Sequence, residues 1–216
     1  DVAWEAGGAG NGMEFSQLMP IGWADSGQLA LGAGNNVMYV GPDARRFVNE
    51  YAERDVISKA ALGVGGVFYE IKSQSQDVAN QLSRVDDGTG MVFASDSLEE
   101  LAGMIGVPAE ALVEEVEKYN GYVATAEDPE YGKNVFSASI EAPYMARVLS
   151  PSIHHTMGGI QINTSCQALD ASGNPIPGLY AAGEVTGGIH AGNRLGGNAI
   201  ADVYTFGRIA GQNAAA

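Results

Sequence analysis

The chain has 216 residues, 45% of them apolar and 17% charged, enough for one sizeable core or one domain with part of another, and unlike a disordered or collagen-like chain. Eleven basic against 26 acidic residues leave a formal charge of −15, which repels nucleic acid and anionic lipid surfaces. No apolar run approaches the roughly 18 residues of a membrane span, and the single cysteine, Cys166, excludes an internal disulfide and a multi-cysteine metal site.

DVAWEAGGAGNGMEF at the start reads as a helix end running into a glycine turn. Val2, Ala3 and Ala6 have no cap before them, so the chain is expected to be a piece of a longer polypeptide or a processed product. MEFSQLMP suggests a short strand ending at Pro20. The stretch from Gly22 to Gly34 reads as loop, and Val37 to Val40 as a strand. Gly41-Pro42-Asp43 is a turn signal. Residues 50–62 suggest a helix with Tyr51, Val56 and Ala60 as its apolar stripe. Val67 to Ile71 and Met91 to Phe93 suggest strands.

Ser97 and Glu100 form a capping-box pattern for a helix that stops at Gly106, and Pro108 opens a second helix. In that helix Leu112, Val116 and Tyr119 share one face, and Glu110, Glu114 and Glu117 are expected to face water. Asp86 to Glu130 holds 12 acidic residues and one basic residue, Lys118, read as a solvated surface. Tyr144 to Leu149 suggests a strand. Gly159–Asn163 and Gln167–Leu169 suggest a ribbon, and Ala171–Asn174 a turn. Leu179–Ala182 reads as a buried strand. The last helix, from Asn198 to about Gln212, carries Ile200, Val203, Phe206 and Ile209 on one side.

The densest constellation is GLYAAGEVTGGIHAGNRLGGNAIADVYTFGRIAG, residues 178–211. A strand at 179–182 would deliver Gly183 and Glu184 to its C-terminal end, where ligands bind in open α/β sheets. A carboxylate there accepts ribose hydroxyl protons. The loop glycines allow backbone to approach a flat ring, and Arg194 is a fixed cation among them. Asn198, Ala199 and Ile200 open a helix whose free N–H groups suit a pyrophosphate or a reduced, anionic isoalloxazine. The Gly-rich dinucleotide fingerprint is absent from this span.

HHTMGGIQIN at 154–163, with IPGLYAAGEVTGGIHAGNRLGGNAI at 176–200, resembles the C-terminal part of the flavocytochrome c fumarate reductase and urocanate reductase flavoproteins. RRFVNEYAERD at 45–55 resembles the same family's mobile capping domain. WEAGGAGNGMEFSQLMP at 4–20 resembles the entry into it, and residues 97–123 resemble its helical segment. The resemblance implies an α+β capping domain followed by the C-terminal strand-loop-helix portion of an α/β Rossmann-like FAD-binding domain. The implied boundaries are 1–12 for the end of the FAD-domain segment leading into the cap, 13–155 for the cap, and 156–216 for the closing part. The N-terminal Rossmann half would lie outside this sequence, in cis or as a second chain, together with any targeting segment. The resemblance implies FAD as cofactor in the complete protein, not retained by this chain alone.

The resemblance also implies roles. Hydride leaves reduced flavin for an activated alkene and a proton is added to the neighbouring carbon. His154 matches a substrate-carboxylate ligand, Arg194 the arginine that clamps a carboxylate, and His155 the neighbouring histidine near the isoalloxazine. Glu50 and Arg54 match the proton-delivery pair, four apart on one helical face. Two positions depart from the pattern. Met19 stands in MEFSQLMPI where the family places a carboxylate-binding histidine. Gln76 stands where its general-acid arginine is expected, with Lys72 and Arg84 nearby and Tyr69 as a substitute donor. The expected activity is therefore enoate or enone reduction with a substrate other than fumarate, bulky or aromatic. The alternatives are a redirected or inactive flavoprotein, and a standalone interaction domain.

Overall fold

The computed structural model describes residues 1–30, 37–77 and 80–216. The chain divides into two compact units: a split unit, Asp1–Gln17 with Ile153–Ala216, and an inserted unit, Leu18–Ser152. In chain order the elements are α1 Val2–Glu5, β1 Gly10–Asn11, β2 Ser16–Trp23, β3 Met38–Val40, α2 Arg54–Gly63, β4 Phe68–Ser73 and β5 Val92–Ser95. There follow α3 Leu98–Ile105, α4 Ala109–Thr125, β6 Tyr144–Thr156, β7 Gly159–Ile160, β8 Gln167–Leu169, β9 Pro175–Tyr180 and α5 Asn198–Ala214.

The inserted unit is built on a sheet of order β2-β6-β4-β3, with β5 also paired to β6. β4 and β6 are antiparallel from Phe68↔Leu149 to Ser73↔Tyr144. Side chains alternate along β4, so the sheet has two apolar faces. Phe68 packs with Trp23, Tyr39 and Leu149 against Ile57 and Ala61 of α2. Ile71 and Tyr69 pack with Met38 against Leu101, Leu112, Val116 and Tyr119 of α3 and α4. Each fully buried side chain of this size contributes about 1.5–3 kcal/mol.

Local signals placed α3 well. The Ser97 hydroxyl accepts the Glu100 N–H, and Gly106 ends the helix at φ 75°. The reciprocal half of the box is absent, because the Glu100 carboxylate accepts the Ser95 hydroxyl at 2.6 Å instead. α2 starts only at Arg54: Asn49 closes a side-chain turn onto the Tyr51 N–H at 2.8 Å. Its buried residues are Ile57, Ser58 and Ala61, while Tyr51 and Val56 of the expected stripe are exposed. The acidic stretch is not wholly a solvated surface, since Glu115 and Asp128 are buried in ion pairs. β2 continues through Trp23, beyond the strand expected to end at Pro20. Of the loop expected at 22–34, residues 31–34 lie outside the described residues.

The split unit holds two small ladders, β1 with β7 and β8 with β9. The expected ribbon reduces to one bridge, Ile162↔Ala168, because β7 and β8 pair elsewhere. The strand expected at 179–182 is β9, shifted to Pro175–Tyr180, and none of its residues is buried. On α5 the only buried residue is Asp202, while Ile200 and Val203 are exposed. Among the described residues no helix is long and apolar enough to cross a membrane.

Candidate functional site

In the split unit, β6 sends His154 and His155 to opposite faces. His154 is exposed and His155 is buried. Neither ring nitrogen of His155 has a hydrogen-bond partner, and the Glu184 carboxylate is 3.9 Å from Nε2. Burial holds the His155 pKa below its ordinary value. Arg194 and His190 act in the same direction, against the attraction of Glu184. His155 is therefore neutral at pH 7.

Arg194 is also buried. Its Nη1 donates to the adjacent Leu195 carbonyl at 3.1 Å and its Nε has no partner. The Arg194 carbonyl accepts from Gln17 Nε2 at 2.9 Å, which ties the loop to the N-terminal segment of the same unit. The structure leaves His154 outward, and Arg194 is among the charged groups that act on His155. Glu184 sits in a short turn, Gly183–Val185, after β9. Its Oε1 accepts the Thr156 N–H at 2.9 Å, which is the main reason its pKa is lowered, and Oε2 is the oxygen nearer His155.

The loop glycines divide into two groups. A Cβ on Gly187 or Gly188 would collide with Asn11, and one on Gly192 would press on the Phe15 ring. These three admit the chain's own N-terminal segment, not a flat ligand ring. Gly197, at φ 89°, has open space around it. At the start of α5 the Asn198 and Ile200 N–H groups bond to Leu195 and Gly197 carbonyls, so of the three expected anion donors Ala199 is the one outside these turn bonds. Trp4, Phe15, Thr156, Tyr180 and Glu184 help line an open cavity of about 740 Å³.

In the inserted unit, Glu50 and Arg54 do not form the expected helical pair, because α2 begins at Arg54. The pair four apart is Arg46–Glu50, with both Glu50 oxygens held by Arg46 at 2.8 and 2.9 Å. Asp128 and Lys133 complete a cluster of four fully buried charges. Lys133 also donates to the Tyr119 hydroxyl at 2.6 Å. Burial lowers the Lys133 pKa and raises that of Tyr119 well above its ordinary value.

Arg54 Nη1 instead lies 3.5 Å from Met19 Sδ. Tyr69, the substitute donor suggested for the Gln76 string, packs on the α3–α4 face of the sheet. Gln76 Nε2 reaches the Ser139 carbonyl at 3.4 Å. Of the alternative donors, Lys72 pairs with Glu70, while Arg84 pairs with Asp87 and covers the Trp23 ring.

Sequence reasoning missed Gln17, His190 and Asp202. His190 Nε2 is 3.0 Å from Asp202 Oδ2, and its ring meets His155 edge-on at 5.4 Å. Both His190 and Asp202 stand inside the motif at 178–211, but their twelve-residue separation carries no recognisable spacing.

Residues 1–200 match the family described as FAD binding domain, and the chain belongs to that family. Within it the chain is a fumarate reductase- and urocanate reductase-like flavoprotein. It is 44% identical to an NADH:acrylate oxidoreductase of Vibrio harveyi, covering 99% of this chain and 22% of that protein. It is 42% identical to a fumarate reductase (cytochrome) of Shewanella frigidimarina, covering 100% of this chain and 38% of the relative. The open conformation of a flavocytochrome c3 fumarate reductase superposes with a TM-score of 0.80 at 39% identity, over 99% of this chain and 38% of that one. The chain thus spans well under half the length of these relatives.

The residues present fit part of FAD. His155 and Arg194 carry buried, unpartnered nitrogens, and Glu184 presents a half-exposed carboxylate beside His155. They are the donor and acceptor types that a flavin and its ribityl or ribose hydroxyls require.

Proposed function

We propose that the protein carrying this chain is an FAD-dependent reductase of activated carbon–carbon double bonds. Its substrate bears one carboxylate or carbonyl beside the alkene, not the two carboxylates of fumarate. The carrying observation is the Arg194 guanidinium, buried with an open Nε and a main-chain carbonyl as its protein acceptor. A buried cation with open planar donors suits a carboxylate. The acrylate- and fumarate-reducing relatives support the reaction class. We assign the split unit to the closing part of the FAD-binding domain and the inserted unit to the capping, substrate-clamping domain.

FAD, when bound, supplies the hydride that adds to one alkene carbon while a proton adds to its neighbour. Arg194 orients the substrate carboxylate and offsets the enolate-like charge that grows there. Neutral His155 donates its one N–H to the same carboxylate or to the cofactor, and Glu184 accepts a ribityl or ribose hydroxyl through Oε2. In the inserted unit, Arg54 serves proton delivery, while both Glu50 oxygens are taken up by Arg46. Met19 beside Arg54 cannot donate to a second carboxylate, because a thioether has no proton to give. That is the reason for preferring a monocarboxylate.

The test uses the FAD-loaded protein and a chemical reductant against acrylate-type enoates, aromatic enoates and fumarate. Enoates are expected to turn over, and fumarate to be slower by about 10²-fold or more. Arg194→Gln should lower enoate turnover by about 10²–10³-fold with flavin absorbance unchanged. Met19→His should raise fumarate reduction. Fumarate as the best substrate, or full turnover in the Arg194→Gln variant, overturns the reading.

A further inference from the structure

His155 presents a physical puzzle inside the split unit. It is 5% exposed, and both its nitrogens lack partners although the Glu184 carboxylate is only 3.9 Å away. A buried polar atom left unsatisfied costs about 1–3 kcal/mol, so an unrestrained ring would close that gap. Something holds it back. The neighbour that meets the ring is His190, edge-on at 5.4 Å and 86°. His190 is in turn bonded through Nε2 to Asp202 Oδ2 at 3.0 Å. Asp202 is buried on α5, and its Oδ1 has no partner.

We infer that Asp202 and His190 are positioning residues for His155, holding its ring off Glu184 so that both of its nitrogens remain open to cofactor and substrate. A carboxylate only accepts, so the His190 nitrogen facing Asp202 carries the proton and the orientation of that ring is set from α5. The charged groups around His155 are Glu184 from the turn after β9, and Arg194 and His190 from the loop before α5. Cys166, in the segment before β8, has its thiol pKa raised chiefly by burial, and its Sγ lies 3.4 Å from the Phe206 carbonyl of α5. The inference rests on the assignment of His155 under Proposed function, yet it makes a claim about the ring that turnover does not measure.

The experiment is nitrogen-15 NMR of the protein labelled at histidine, with and without FAD. His154, His155 and His190 are the three histidines to assign. In the unsubstituted protein without FAD, His155 should titrate below the ordinary histidine range, and the His190 Nε2 should carry its proton. In Asp202→Ala the His155 ring should close on Glu184, and its proton affinity should rise by about tenfold or more. Asp202→Asn, whose amide oxygen still accepts the His190 proton, should keep His155 near its original titration. His190→Ala should reproduce the Asp202→Ala shift, and it serves if Asp202→Ala does not fold.

An unshifted His155 in both Ala variants overturns the inference, as does a shift in Asp202→Asn equal to that in Asp202→Ala. Failure of alkene reduction with the histidine shifts intact would instead count against the assigned reaction alone.

Discussion

The inserted and split units differ in how far their buried charges are paired. In the inserted unit Arg46, Glu50, Asp128 and Lys133 close on one another, and Arg147 clamps Glu70 bidentately at 2.7 and 2.9 Å. In the split unit His155, Arg194 and Asp202 are about as buried and each keeps an atom with no partner; Arg46 Nη1 is also unpartnered, but every charge of its cluster has an opposite charge within 3.3 Å. The apolar cores differ in the same direction: two clusters flank the inserted unit's sheet, while the split unit's fully buried apolar residues are Met157, Ile160, Cys166 and Ala168. Closed charge stabilises a fold, because removing one partner strands the rest. Open buried charge raises the free energy of the protein alone, and it is relieved by a ligand.

The comparison is broken most easily at Arg46. Arg46→Leu strands Glu50 and Asp128 with Lys133 as the only cation of the cluster, and should cost about 3–5 kcal/mol in a urea titration. A loss under about 1 kcal/mol would mean that the cluster does not stabilise the unit.

A second effect separates the units by pH, because all three histidines lie in the split unit. The depressed pKa of His155 means that the unfolded chain takes up a proton that the folded one refuses. Stability from this group is therefore full above its ordinary value of about 6.5 and falls as pH drops toward the lower folded value. Glu184, lowered first by the Thr156 N–H, adds stability above its ordinary 4.5 that is lost on further acidification. In the inserted unit Asp128 follows the same sign from 3.8, burial opposing but Arg46 and backbone N–H bonds prevailing. Hydrogen exchange should therefore show the split unit loosening first as pH falls below about 6.5, and His155→Gln should remove that early phase. Simultaneous loosening of both units would count against the pKa assignment.

Ser97→Ala should cost about 1 kcal/mol, localised to α3, by loss of the cap that accepts the Glu100 N–H. The smallest effect is expected at Arg194, where replacing a poorly partnered buried cation with a similar-sized apolar chain is close to neutral. Arg194→Met should keep thermal stability within about 1 kcal/mol while turnover collapses. A large destabilisation would place Arg194 among the closed charges and sharpen the contrast against us.

Elements whose cause is local were legible. Ser97, Gly106 and Pro108 mark helix ends within one turn, and the Leu112–Val116–Tyr119 stripe needs only the helical repeat. The site was legible as a motif but not as a geometry. His154 and His155 are adjacent letters, and it is strand alternation within β6 that buries one and exposes the other. Glu50 and Arg54 have helical spacing, yet the Asn49 turn delays α2 until Arg54. Glycines read as room for a ligand turned out to admit Asn11 and Phe15, contacts between positions more than 170 residues apart.

By itself, then, the sequence determined the family, FAD as the family's cofactor and most helix boundaries, since these depend on motifs and on interactions within a few residues. Tertiary structure decided which charges are closed and which are open: Arg46 with Glu50 and Asp128, Met19 with Arg54, and His155 held between Glu184 and a His190 anchored on Asp202. Burial and partner choice are properties of the packed chain, and in a low-dielectric interior they decide whether the same ionisable side chain holds the fold or awaits a ligand.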